Sequence, residues 1–265
     1  MATSFGTLDR RAAVKILLAG RTDLLIVTGL GSPAYDVFDA GDRDDTFYLW
    51  GAMGGAAMAG LGLALAQPSR PVVVVTGDGE QLMGAGALMT VAVARPGNLT
   101  IVVLDNGYYG ETGMQVSHSG LGVRLDQVAA ACGIPDVREI VDEAGLLACQ
   151  PWLCQVSEGP RLAVVRIGAG HVERALPPRD GVFLKNRPRQ QRGLPVSEPG
   201  RAAPAIQNAQ RPSCTRTRIS ARIRPATAAA AIAGALSIGD ANTSSRVMPG
   251  PANAAVSSCP SRTSA

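Results

Sequence analysis

Two continuous apolar runs, Pro71 to Thr76 and Leu99 to Leu104, dominate the hydrophobic pattern of this 265-residue chain. Neither alternates apolar with polar positions, as expected of strands buried on both faces. Shorter runs predict further strands at Leu24 to Thr28, Phe47 to Leu49 and Arg161 to Ile167. Between them the spacing turns helical. Ala12, Val14, Ile16 and Leu17 mark an amphipathic helix over Leu8 to Ala19, with Asp9 near its start and Gly20 after its end. Ser32 as N-cap with Pro33 in the first turn predicts a helix to Phe38 or Asp39. A small-residue helix follows the turn Gly51 to Gly55 and runs to Gln67. Ala85 to Ala94 links the two long strands, and helices are predicted over Leu125 to Cys132 and Glu143 to Gln155. Alternating strands and helices with short connections define an α/β domain with a mainly parallel sheet flanked by helices.

Composition divides the chain near residue 186. All ten aromatics and both lysines lie before that point, whereas residues 187–265 hold eleven arginines against Glu198 and Asp240, a net of +9. The fourteen basic and nineteen acidic residues that remain give −5 for residues 1–186. The basic pI near 9 therefore belongs to the tail, and a mildly acidic body argues against a nucleic-acid partner. A tail rich in Ala, Pro, Ser, Thr and Arg has little apolar surface to offset the entropy of ordering, so 187–265 reads as a disordered, low-complexity basic segment, out of frame or read through. The body, 1–186, is long enough for one domain with its own core. Five cysteines, at 132, 149, 154, 214 and 259, form no CxxC pair, which suits a reducing cytoplasm. The first residues lack a signal pattern, and the small-apolar run Ala52 to Ala66 is too short to span a bilayer, so no membrane role is expected.

The chemistry gathers at the ends of the two long strands. The first delivers Gly77-Asp78-Gly79-Glu80 and the second Asp105-Asn106-Gly107-Tyr108-Tyr109-Gly110, with Asp78 and Asn106 28 residues apart. One crossover between parallel strands puts that carboxylate and amide oxygen at the same sheet edge, where ligands of open α/β sheets bind. Hard oxygen donors beside Gly-rich backbone suit Mg²⁺ bridging a diphosphate.

At these residues the chain resembles the diphosphate-binding module of thiamine diphosphate enzymes. The resemblance covers roughly 8–186, including Ala175-Leu176-Pro177-Pro178-Arg179-Asp180-Gly181-Val182-Phe183-Leu184, and its shape is that of the small β subunit of sulfopyruvate decarboxylase and of phosphonopyruvate decarboxylase. It implies Mg²⁺ held by Asp78, Asn106 and the backbone carbonyl of Tyr108. It also implies phosphate donors from the backbone of Gly79 and Glu80 and from Gly31-Ser32, with Gly77, Tyr109 and Gly110 alongside. In the turn Gly51-Ala52-Met53-Gly54-Gly55, Met53 stands 25 residues before Asp78 and matches the family's apolar wedge, which bends the cofactor; the Gly51 carbonyl would accept from its amino group. The glutamate that activates the aminopyrimidine comes, in this family, from a pyrimidine-binding module, and no segment here reads as one. The resemblance thus implies a hetero-oligomer: a thiamine diphosphate and Mg²⁺ subunit that decarboxylates a small 2-oxoacid once joined by its pyrimidine-binding partner.

Plainer readings stand beside these. Asn106-Gly107 could be a hairpin turn, but Tyr108 to Ser119 shows no strand alternation and so offers no second arm. Met53 could be core filler. His118 could relay a proton or meet substrate, or be a solvated loop residue; Glu111 could face substrate or water. His171 reads as surface, and Cys149 and Cys154 as core. Gly84-Ala85-Gly86 lacks the strand and acidic residue of a dinucleotide loop. The same cofactor also serves carboligases and 2-oxoacid oxidoreductases. A reading of another class is a non-catalytic diphosphate-binding regulatory or assembly subunit.

Overall fold

Strands β1 (Leu25–Thr28), β2 (Thr46–Tyr48), β3 (Val72–Gly77), β4 (Leu99–Asp105), β7 (Asp136–Ile140) and β8 (Arg161–Arg166) form one six-stranded sheet in the order β2-β1-β3-β4-β8-β7, every neighbouring pair parallel. The computed structural model describes residues 5–191 and 193–196. The two long apolar runs are the central pair, β3 and β4, in register Val73 to Thr100 and Gly77 to Leu104. Side chains along each strand divide between the two faces. Val73, Val75, Val102 and Leu104 enter one core with Val14 and Leu17, while Val72, Val74, Ile101 and Val103 enter the other with Leu61, Leu88 and Val91. At roughly 1.5–3 kcal/mol per buried valine or leucine side chain, this two-sided burial dominates the stability of the sheet.

One face is covered by α1 (Arg10–Leu18), α2 (Ser32–Asp39) and α7 (Glu143–Leu153), the other by α3 (Ala56–Ala66), α5 (Gly86–Ala94) and α6 (Leu125–Ala131). Asp9 caps α1 by accepting from the Ala12 N–H at 2.7 Å, and Asp142 caps α7 through Gly145 N–H at 2.8 Å. The cap of α2 falls one residue earlier than the sequence suggests. Gly31, at φ +69°, turns the chain, and Ser32 and Pro33 already lie inside the helix.

Four elements depart from the sequence reading. The crossover after β3 is two helices, because α4 (Asp78–Met83) begins directly on the Gly-Asp-Gly and breaks at Gly84 before α5. A Cβ on Gly84 would lie 2.2 Å from the Gly54 carbonyl oxygen, so the break is where the Gly51 to Gly55 turn packs against backbone. Second, the loop after Asn106 does have a return arm: β5 (Tyr108–Tyr109) pairs antiparallel with β6 (Gln115–Val116). Two residues per strand are too few to show alternation. Third, β7 was missed because its Asp-Val-Arg-Glu-Ile pattern is that of a half-exposed edge strand. Fourth, α8 (Gly181–Gln190) runs through the composition break at 186, and Arg187 within it is buried, donating to Asp42 at 2.7 and 2.9 Å and to the Thr46 carbonyl at 2.7 Å. Cys149 is buried as expected, but Cys154, at the end of α7, is exposed. The expected disorder beyond residue 196 lies outside the described residues. Among the described residues no helix is long and apolar enough to cross a membrane.

Candidate functional site

A cavity of about 350 Å³ opens at the carboxyl edge of the sheet. Its wall is assembled from the loop after β1 and the start of α2 (Leu30, Gly31, Ser32), the end of β3 and the start of α4 (Gly77 to Glu80), and the segment after β4 (Asn106 and Tyr108 to Thr112). Met53 and Trp50 enter from the turn after β2, and Arg10 and Ile167 from α1 and the end of β8. Because all six strands are parallel, their carboxyl ends share one edge, and residues far apart in sequence meet there.

Of the residues singled out from sequence, Gly31, Ser32, Met53, Gly77, Asp78, Gly79, Glu80, Asn106, Tyr108, Tyr109, Gly110 and Glu111 all line this cavity. Gly51 and His118 do not. Gly51 is exposed, at φ +95°, and serves the turn that presents Met53. Met53 is 45 % exposed while lining the cavity, which removes the core-filler reading. His118 is an exposed loop residue whose Nδ1 lies 2.7 Å from the hydroxyl of Tyr109, one hydrogen bond behind the cavity wall. His171 is exposed too.

Asp78 is buried, and its Oδ2 accepts from Ser117 at 2.5 Å and from Ser119 at 2.9 Å. Its neighbour Asp105 lies 2.7 Å from the same Ser119 hydroxyl, whose single proton the two carboxylates share, accepts from the Gly107 N–H at 3.1 Å and pairs with Arg166 at 2.6 Å. Burial raises the pKa of Asp78. It raises that of Asp105 to about 6, with the nearby Asp78 charge adding to the effect. Two close buried carboxylates are what a bound cation would relieve. Ser117 and Ser119 were missed in sequence reasoning, since nothing marks serines in a polar loop as carboxylate partners 39 and 41 residues away.

Asn106 Oδ1 accepts from the Tyr108 N–H at 2.9 Å, an Asx turn that fixes the amide at the cavity edge. Glu80, in contrast, uses its carboxylate inward. Oε2 accepts from the Leu30 N–H at 2.9 Å and from Thr76 Oγ1 at 3.1 Å, and Oε1 from the Ala56 N–H at 3.4 Å. One side chain thus ties together the loop before α2, the end of β3 and the start of α3. Glu111 pairs with Arg174 at 3.1 Å on the rim and lies 3.5 Å from the Ser32 hydroxyl.

The donor set fits a hard divalent cation with a diphosphate: a buried carboxylate, a fixed amide oxygen and adjacent backbone. No group of three or more His, Cys, Asp or Glu among the described residues could hold a metal alone, so a cation here needs Asn and backbone oxygens and the ligand itself.

Comparison with known proteins identifies the family. Residues 37–167 match the thiamine pyrophosphate enzyme family through its C-terminal TPP binding domain. Phosphonopyruvate decarboxylase of Streptomyces viridochromogenes is 42 % identical over 168 residues, covering 62 % of this chain and 41 % of that protein. Sulfopyruvate decarboxylase subunit beta of Methanocaldococcus jannaschii is 39 % identical over 43 % of this chain and 60 % of its own length. The subunit of the same name from Methanothermobacter thermautotrophicus is 40 % identical over 49 % of this chain and 70 % of its own length. Among solved structures, the thiamine diphosphate-dependent 4-hydroxybenzoylformate decarboxylase of Rhodococcus jostii shares the fold, with TM-score 0.52 at 23 % identity over 65 % of this chain and 35 % of that one. The chain belongs to the thiamine pyrophosphate enzymes, and what it carries is their TPP binding domain. It spans well under half of the Streptomyces relative and three-fifths of the Methanocaldococcus one.

Proposed function

We propose that this chain is the thiamine diphosphate and Mg²⁺ binding subunit of a 2-oxoacid decarboxylase, joined in a hetero-oligomer by a pyrimidine-binding subunit. The observation that carries the reading is the convergence of Asp78, Asn106, Tyr108 and the Gly31-Ser32 turn on one cavity. Asp78, Asn106 and the Tyr108 carbonyl hold the cation. The backbone at the start of α2, where the helix dipole favours anions, receives phosphate oxygens, as does that of Glu80. The Gly79 N–H contributes less, since it already faces the Asp78 carboxylate. Met53, presented by the Gly-rich turn, would support the cofactor from the cavity wall.

The cofactor supplies an electron sink for the bond lost with CO₂. This chain's residues orient the 2-oxoacid and manage protons. Glu111, on the rim, faces the substrate, and the Tyr109–His118 pair links the cavity wall to an exposed imidazole. The substrate class follows the relatives' names: a pyruvate carrying an acidic substituent.

The partner reading draws on α3 and α5. Both are apolar all round, where a surface helix normally shows one polar face. They pack together, and Met58, Leu65, Met83, Met89 and Val93 remain exposed on and around them. Apolar helix faces of this kind mark protein interfaces. Turnover of a 2-oxoacid, measured with and without the pyrimidine-binding subunit, tests the proposal. CO₂ release only in the mixture, abolished by Asp78→Ala, is expected. Full turnover by the Asp78→Ala mixture would remove the metal assignment.

A further inference from the structure

Arg10 is a cation in the wall of the cavity that the metal and backbone reading leaves without a task. It starts α1, is 9 % exposed, and lines the cavity together with Asp36 and Ile167. Its contact is an ion pair, Nε to Asp36 Oδ2 at 3.3 Å, and Nε has no hydrogen-bond acceptor among the described residues. A guanidinium carries five N–H donors in a planar fork. One buried beside a cavity without hydrogen-bonded acceptors is set for an anion.

Asp36 is fully buried and is shared: Arg11 Nε reaches its Oδ1 at 3.3 Å as well as Asp39 at 3.5 Å, and Lys15 holds Asp39 at 2.8 Å. With Asp9 also close to Asp36, three cations and three carboxylates gather here, and Asp36 is held by Arg11 as well as by Arg10. Position selects the anion. Asp36 lies four residues after Ser32 on α2, so the Arg10–Asp36 pair shares the helix face that begins at the Gly31-Ser32 turn. Met53 comes instead from the segment after edge strand β2. Arg10 thus stands with the Gly31-Ser32 turn, where phosphate oxygens would be received.

Resting on the cofactor reading above, we infer that Arg10 is a second anchor that would hold the diphosphate beside the cation. A diphosphate ester retains negative charge after one divalent cation has bound, and the fork of a guanidinium matches two of its oxygens. The contact gives the site a preference for the diphosphate over the monophosphate form of the cofactor.

The test is calorimetric titration of the full chain, in Mg²⁺, with thiamine diphosphate and with thiamine monophosphate. In Arg10→Met, Arg11 still pairs Asp36, so the buried carboxylate keeps a partner. The expected result is diphosphate binding weakened by about tenfold or more, with monophosphate binding changed less than about twofold. Arg10→Lys, which keeps the charge but not the fork, should fall between wild type and Arg10→Met. Equal loss for both ligands means that Arg10 only supports the fold and overturns the inference. So does an unchanged diphosphate affinity, the result expected if Arg10 served a substrate anion instead. A wild-type chain that binds neither ligand refutes the cofactor reading, and Arg10's role with it; a wild type that prefers diphosphate while the variants keep that preference refutes Arg10 alone.

Discussion

Glu80 shows how far a residue's task can lie from its apparent one. It follows the Gly-Asp-Gly and lines the cavity, yet its carboxylate satisfies the N–H groups of Leu30 and Ala56 and the hydroxyl of Thr76. Glu80→Ala leaves two buried amides without an acceptor, and we expect a loss of about 3 kcal/mol in urea unfolding. A loss within error would mean that these amides find other partners. Asp78 and Asn106 were legible from sequence because strand ends one crossover apart must share an edge. The Ser117–Ser119 network was not, since it depends on how a polar loop folds back. Cysteine chemistry gives a separate check. Burial pushes the Cys149 thiol up to about 11, so little thiolate exists near neutral pH, whereas Cys154 is exposed. Mass-spectrometric mapping after brief alkylation at pH 8 should find Cys154 modified and Cys149 protected. Cys149 modified first would contradict the packing of α7.

At the scale of elements, the strands and most helices could be read because both-face burial leaves continuous apolar runs. The β5–β6 hairpin and β7 escaped because two-residue strands and half-exposed edges carry no such signal. The helix pair α3 and α5 belongs to an intermediate case. Its unbroken apolar character is plain in sequence, but only the fold shows which residues stay uncovered. Met89 is 61 % and Val93 85 % exposed on α5. Replacing both with glutamate removes no core contact, so the melting temperature of the isolated chain should stay within a few degrees. Association with the proposed pyrimidine-binding subunit, measured by sedimentation, should weaken at least tenfold. Undiminished association would move the interface to another face.

For the whole molecule, composition and fold disagree about where the domain ends. The aromatic and charge statistics change near 186, yet Arg187 closes a pair with Asp42 beneath α8. Composition is averaged over many residues and cannot see one buried arginine. A chain ending at Asn186 should be about 2 kcal/mol less stable than one ending at Val196, since Asp42, itself partly exposed, loses its arginine. Equal stability of the two truncations would show that α8 contributes nothing beyond Asn186.

The site at the carboxyl edge of the sheet is tested by titrating thiamine diphosphate into the chain with and without Mg²⁺. Saturable binding that requires Mg²⁺ and is lost in Asp78→Ala is expected. Binding of equal strength without Mg²⁺, or retained in Asp78→Ala, would contradict it.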